Sequence, residues 1–417
     1  MNNDSKSILV AGFNTRPLAY SLSKAGYEVF AVDFFGDLDL YPYVKEAIII
    51  TEELGKNYDS IKDSYHNYIA DFTIKMLEKN PQVKSLIIGS GLDDAFEQRK
   101  IILNHIQRKN LNILDLNNDI QAIQKARNIR MIYQVLESNE YEVPETIFPE
   151  RMDDFYKFKQ FPFILKKFRS SGGININKIK DEDNLNSFLK ILKSNEADLS
   201  EWLAQEYIDG IPLSCTVISN GSNSEIVSIN RQIIGEKFLN SPKEFMYCGN
   251  IVPARISPKT KETISYISLM LTRELKLKGI NGFDFVVKNQ CPYLMEINPR
   301  IPGSVRASEM ALNINLLDLH VQSFDKDNWG SICRSIKNPK PTQFATKLIL
   351  YAPQEISKNQ LMEINKLENV HDKTHPKTSL NKFDPVCTVL FGANTFSESY
   401  FGALKIVDQI YELLSKG

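Results

Sequence analysis

The sequence predicts an α/β domain, then a larger α+β region, then a small β-rich segment closed by a helix. Three observations carry this prediction. Short apolar runs alternate with amphipathic stretches up to about residue 115, the texture of a parallel-sheet domain. From about residue 160 the apolar runs become closely spaced, with few helical stretches between them. The chain is 417 residues long, more than one ordinary core encloses, so roughly two to four domains are expected.

The elements follow in order. "SILVAGF" is an apolar run ending in glycine, "PLAYSLSKAG" has helical spacing and a glycine stop, and "YEVFAVDF" reads as a second strand. Together they make a β-α-β unit. "EAIII", the amphipathic stretch Ile61 to Lys79, "SLIIGSG" and "DDAFEQRKIILNHI" continue the alternation. Helical, charged sequence runs to about residue 140, and "EVPETIFP" is a proline-punctuated connection. "FPFILKKF", "GININKI", "WLAQEYI", "LSCTVIS" and "SEIVSINRQII" are strands, with one helix near 182 to 194. A helix at about 260 to 276 precedes two strands that each carry an acid. "TQFATKLILYAP" and "DPVCTVLFGA" are later strands, and "ESYFGALKIVDQIYELL" is the closing helix.

Hydrophobic residues make up 42% and charged residues 24%, a globular composition. The net charge of -1 gives no global attraction to nucleic acid or to membrane. The five cysteines, Cys215, Cys248, Cys291, Cys333 and Cys387, show no C-x-x-C spacing. A zinc site or redox pair is therefore not expected, and a reducing cytoplasm is. The N-terminus has no signal-peptide pattern and no run is long enough to span a membrane.

The chemistry lies in the two acidic strands. In "NGFDFVV" strand alternation puts Asp284 on a face with Gly282 and Val286, opposite Phe283 and Phe285. In "YLMEINPR" Glu296 and Asn298 share a face, opposite Met295 and Ile297. A hairpin through "KNQCP" would converge Asp284, Glu296 and Asn298 into a hard-oxygen site suited to Mg²⁺. Mg²⁺ keeps few protein ligands, so a nucleoside triphosphate is the expected other half of the site. Arg300 adds a cation for phosphate or a developing oxyanion. The plain alternative is an exposed hairpin with polar residues in water.

In "FPFILKKFRSSGGININ" Lys166 can reach phosphates from its strand, and Ser170, Ser171, Gly172 and Gly173 can close over them with backbone N–H groups. Gly-Gly between strands is equally an ordinary turn. "QEYIDG" can offer backbone groups to an adenine edge, with Glu206 or Asp209 reaching amino or ribose groups, or it is a plain strand and turn.

Taken in order, Lys125, "FILKKFRSSGG", "EYIDG", "GFDFVV" and "LMEINPR" resemble an ATP-grasp enzyme over roughly 120 to 315. The whole chain looks most like archaeal carboligase-type members related to biotin carboxylase. The resemblance implies a Rossmann-like pre-ATP-grasp α/β domain over 1–115, and an ATP-grasp domain over 116–325 with a lid at about 140–210. It also implies a C-terminal β-rich domain with a closing helix over 340–417. It places Lys125 and Lys166 at the two phosphate-binding lysine positions, Glu206, Tyr207 and Ile208 at the adenine hinge, and Asp209 at ribose. Asp284, Glu296 and Asn298 fall at the Mg²⁺ (or Mn²⁺) ligands and Arg300 at the catalytic arginine, with Lys166 beside it in catalysis. One departure stands out: Lys167 and only two glycines follow Lys166, where many members have proline or alanine and a longer glycine run. Lys167 is an alternative phosphate lysine, although only one of the pair can face the nucleotide.

The implied activity is ATP- and Mg²⁺-dependent, ADP-forming joining of a carboxylate to an amine through an acyl phosphate. The expected partners are small-molecule carboxylate and amine substrates, with no nucleic acid and no membrane, and a homodimer is allowed. Loops Gly12 to Pro17, Gly89 to Asp94 and Arg300 to Glu309 should line the pocket. Arg16 and Arg306 there are either substrate-anion ligands or surface ion pairs. His320 in "LLDLHVQ" reads as a packing residue rather than a base. Two rivals remain: an ATP-binding protein without ligase turnover, and a dinucleotide-dependent oxidoreductase. Asp33 ends the second strand where a ribose-binding acid would sit, but Phe13, Asn14 and Thr15 follow Gly12 in place of G-x-G-x-x-G.

Overall fold

The structure is a computed structural model that describes residues 6–169, 172–173, 175–337 and 341–415. The N-terminal alternation builds a five-stranded parallel sheet. Its order is Glu46–Ile49, Glu28–Asp33, Ser7–Gly12, Ser85–Ile88 and Leu114–Asp115. The central strands are buried along nearly their whole length because helices cover both faces.

An eight-stranded antiparallel sheet holds the acidic hairpin at one edge. Its order is Cys291–Asn298, Lys278–Lys288, Ile211–Asn220, Ser224–Ile234, Tyr247–Val252, Phe344–Tyr351, Pro385–Ala393 and Val370–His371. The last three are the C-terminal strands, which hydrogen-bond directly onto the sheet that carries the hairpin. One face of this sheet is apolar: Leu213, Cys215, Phe283 and Phe285 pack with Ile264, Ile267 and Leu271 of the helix Pro258–Glu274. The other face carries Asp284 and Ser214 and meets the helix Val305–Leu312.

A third sheet of four strands lies within the span expected as the lid, in the order Thr146–Ile147, Trp202–Glu206, Phe163–Lys167 and Ile176–Ile179. Its inner face packs Phe163, Leu165 and Ala204 against Leu185, Leu189 and Leu192 of the helix Glu182–Ser194. Among the described residues, no helix is long and apolar enough to cross a membrane.

His320 ties the two larger sheets together. Its Nδ1 accepts from the Ile280 N–H and its Nε2 faces the Leu116 carbonyl, each at 3.0 Å. Only a neutral ring serves both contacts, and burial pulls its pKa down to about 4. The unfolded ring titrates near 6.5, so between these values the unfolded chain holds more protons. The stabilisation is complete above pH 6.5 and is lost as pH falls toward 4, by roughly 3 kcal/mol. Urea unfolding of the wild type and of His320→Gln across this window should diverge by about that amount. Parallel pH slopes would remove the ring as the cause.

Candidate active site

The hairpin turns at Asn289 and Gln290, both in the left-handed region with φ of 51° and 64°, as a two-residue turn between twisted strands requires. Further along, Asp284 pairs with Glu296 but Phe285 pairs with Leu294, so Met295 is an extra residue. This bulge seats Glu296 directly across from Asp284. Asn298 Nδ2 donates to Asp284 Oδ2 at 2.8 Å, and Gln232 Nε2 donates to Asp284 Oδ1 at 3.0 Å. Burial, and after it repulsion from Glu296, pushes the Asp284 pKa up to about 7, against the pull of Arg300 and the two amides. Two carboxylates and an amide oxygen, drawn together at this cost, fit a hard divalent cation such as Mg²⁺. Among the described residues no group of three or more His, Cys, Asp or Glu offers a competing metal site.

Three cations surround the pair. Lys166, on the lid strand, interacts with Glu296 and with Arg127. Burial pulls its pKa down to about 8, with Glu296 opposing and Arg127 adding to the fall. Lys167 leaves the opposite face and pairs with Glu201 at 2.8 Å, over the Trp202 ring. The strand register therefore assigns Lys166, not Lys167, to the side of the acids.

Arg127 follows the helix Ile120–Ala126 and clamps Asp94 through Nε at 3.0 Å and Nη2 at 2.8 Å. Its Nη1 reaches Glu296 Oε1. Burial works to depress its pKa, but Glu296 and Asp94 outweigh this and raise it. Arg300 Nε bonds Asp93 Oδ1 and its Nη1 bonds the Ile301 carbonyl at 3.1 Å. Burial works to raise the Asp93 pKa, yet Arg300, Arg127 and Arg99 together lower it.

Not every expected residue arrives. Lys125 is exposed on its helix, because residues two apart on a helix point to nearly opposite sides; the cation at Glu296 is Arg127. Ser170 and Ser171 lie outside the described residues. Gly172 and Gly173 have φ of 67° and 81°. A Cβ on Gly173 would lie 1.9 Å from the Phe245 carbonyl oxygen, whereas Gly172 has nothing within 4 Å. In the hinge, Ile208 is buried, Tyr207 lies under the Lys178 ammonium at 3.8 Å, Glu206 N–H bonds the Glu145 carbonyl at 2.8 Å, and Asp209 is exposed.

Arg127, Asp93, Asp94 and Gln232 were not singled out in the sequence as ligands or partners. The loop Gly89 to Asp94 was expected at the pocket, but its ion pairs to Arg127 and Arg300 arise from contacts distant in sequence. Arg16 is buried and spent on Asp372 at 2.9 Å and Asp39 at 3.3 Å. A cleft of about 800 Å³ is lined by Arg130, Phe148, Phe168, Arg169 and Trp202, and includes none of Asp284, Glu296 and Lys166. Asp33 accepts from the Thr15 N–H and Oγ1 and from the Phe35 and Gly36 N–H groups, at 2.6 to 2.9 Å. That carboxylate is consumed by its own loop, which weighs against a dinucleotide ribose there.

An eight-stranded sheet with two acids across an edge hairpin, under a four-stranded lid that presents a lysine to them, defines a nucleotide-clamping fold. Residues 126–304 match the ATP-grasp domain family. It is 28% identical over 419 aligned residues to an uncharacterized protein of Methanocaldococcus jannaschii, covering 97% of this chain and 91% of that one. It is 25% identical over 182 residues to D-alanine--D-alanine ligase of Christiangramia forsetii. That match spans 43% of this chain and about half, 53%, of the ligase. The L-amino acid ligase of Bacillus licheniformis superposes with a TM-score of 0.68 over 97% of both chains, at 15% identity.

Proposed function

We propose that the protein is an ADP-forming ligase that uses ATP and Mg²⁺ to activate a carboxylate and join it to an amine. The observation that carries this reading is Asp284 opposite Glu296, with Lys166, Arg127 and Arg300 around them. Two relatives by sequence or fold are named as ligases of amino acids, which supports the coarser class.

In the proposed reaction a carboxylate oxygen attacks the γ-phosphorus of ATP and the bond to ADP breaks. The amine nitrogen then attacks the acyl carbon, phosphate leaves, and the nitrogen loses a proton. Mg²⁺, held by Asp284, Glu296 and Asn298, would neutralise charge on the phosphate oxygens. Lys166 binds phosphate from the lid, and Arg127 is released from Glu296 to do the same while Asp94 retains its other edge. Arg300 faces the charge that develops at the acyl group, and Asp93 holds its guanidinium in place. Hinge residues Glu206 to Ile208 offer backbone groups to adenine, with Asp209 the candidate for ribose. No enzyme nucleophile is required.

Phosphate release from Mg·ATP, screened over paired carboxylates and amines, tests the reading directly. Release with a carboxylate and an amine together is expected. Nucleotide binding without turnover over the whole panel would favour the non-catalytic rival.

The glycine loop gives a further test. Gly172→Ala meets no neighbour, so only left-handed strain of about 1 kcal/mol is added. Gly173→Ala collides with the Phe245 backbone and should unseat the loop. With closure lost, water competes for the acyl phosphate, so Gly173→Ala should release more phosphate per amide formed. If phosphate and amide fall in strict proportion, the loop does not shield the intermediate.

A further inference from the structure

The sheet face that carries the acids does not end with them. Residues paired across antiparallel strands point to the same side. Glu296 pairs with Asp284, Asp284 with Ser214, and Ser214 with Asn230. Two residues along the same strand, Gln232 pairs with Asn250, and Asn250 with Lys347. A continuous polar row thus crosses six strands, from the proposed metal site to Lys347.

The middle of the row is buried and carries unsatisfied polar atoms. Asn230 and Asn250 are both 0% exposed, but Asn230 Oδ1 and Asn250 Nδ2 have no hydrogen-bond partner. Ser304 Oγ and Arg306 Nε, at the start of the helix Val305–Leu312 that meets this face, also have none. Buried polar atoms are nearly always paired, so four orphans on one sheet face and the helix start that meets it call for a polar occupant.

Lys347 is the sharpest case. It is 8% exposed, its Nζ donates to the Gly303 carbonyl at 3.0 Å, and no ion pair forms with it among the described residues. Asp372, the acid that acts on it most strongly, is already bound by Arg16 at 2.9 Å and by Thr388. Arg306 lies 3.9 Å over the Tyr20 ring and is only partly matched by Glu309, which also takes Ser21 and the Leu316 N–H. A buried ammonium with one neutral acceptor is costly unless an anion joins it.

We propose that Lys347 and Arg306 bind a second carboxylate of the substrate, while Asn230, Asn250 and Ser304 bind the polar chain between its two ends. This rests on the ligase reading for the reacting end. Gly303, which accepts from Lys347, is three residues past Arg300, at most about 10 Å between Cα atoms, so the two ends are held by one short loop. With Glu309 already paired to Arg306 and Asp372 already acting on Lys347, little positive charge is left over, which favours a carboxylate over a phosphate dianion. The substrate class is an acid with two carboxylates on a short polar chain.

Calorimetry and thermal shift on the full chain test this with hydroxy and amino dicarboxylates from malate to 2-aminoadipate, the monocarboxylates of matching length and substituents, and inorganic phosphate. At least one dicarboxylate should bind and raise Tm where its monocarboxylate partner does not. Lys347→Met should weaken that dicarboxylate by roughly 30-fold or more, and Lys347→Arg should recover part of the loss. Equal binding of mono- and dicarboxylates by the wild type overturns the proposal without any variant. So does unchanged dicarboxylate binding by Lys347→Met, or binding of phosphate alone. Mg·ADP separates the two readings. Dicarboxylate binding without Mg·ADP binding contradicts the ligase and leaves this site standing, and the reverse pattern leaves the ligase and removes this site.

Discussion

Glu296→Gln is expected to remove Mg²⁺-dependent ATP turnover, by about a thousandfold or more in kcat, and to leave the fold intact. The bulge at Met295 places this carboxylate opposite Asp284, and its side chain is 34% exposed, so an isosteric amide fits the same space. The loss falls on charge. With one carboxylate neutral, the repulsion that helps raise the Asp284 pKa disappears, but the site keeps one anionic ligand instead of two, and metal affinity falls. Arg127 also loses its ionic partner at this end, though it keeps Asp94. Turnover measured against Mg²⁺ concentration, beside circular dichroism and Tm, checks this. Near-normal turnover in a folded variant removes the metal assignment.

Lys166→Ala weakens ATP binding by roughly 30- to 100-fold, and Lys167→Ala by no more than about threefold. The two side chains leave opposite faces of one strand. Lys166 faces Glu296 and Arg127, whereas Lys167 is occupied with Glu201 and Trp202. Removing Lys167 breaks a surface ion pair remote from the acids; removing Lys166 would take away the positive charge that the proposed phosphate site relies on. Calorimetry with a non-hydrolysable ATP analogue ranks the pair. The reverse ranking would mean that the lid strand is shifted by one residue.

Much of this was legible in the sequence, for reasons that differ between elements. Asp284, Glu296 and Asn298 could be grouped because strand alternation is local and the turn "KNQC" is short. The bulge was not foreseen, since nothing in "YLMEINPR" marks Met295 as the extra residue. Lys166 and Lys167 stayed ambiguous until cross-strand pairing with Trp202–Glu206 fixed the register. Lys125 was carried over from a family pattern, and helix geometry moves the contact two residues on, to Arg127. Arg127–Asp94 and Arg300–Asp93 are contacts 33 and 207 residues apart in sequence, set by how the N-terminal domain seats on the acidic hairpin. The polar row to Lys347 was likewise hidden. Its members come from six strands, and only the order of the sheet makes them neighbours.

The most direct measurement follows oxygen. The protein is incubated with Mg·ATP, hydroxylamine as the amine, and dicarboxylic acids carrying ¹⁸O in their carboxyl groups. If a carboxylate attacks the γ-phosphorus and nitrogen then displaces phosphate, ADP forms, hydroxamate accumulates, and each phosphate released with it carries one ¹⁸O from the acid. Formation of AMP and pyrophosphate, or of hydroxamate with unlabelled phosphate, would contradict the acyl-phosphate ligase.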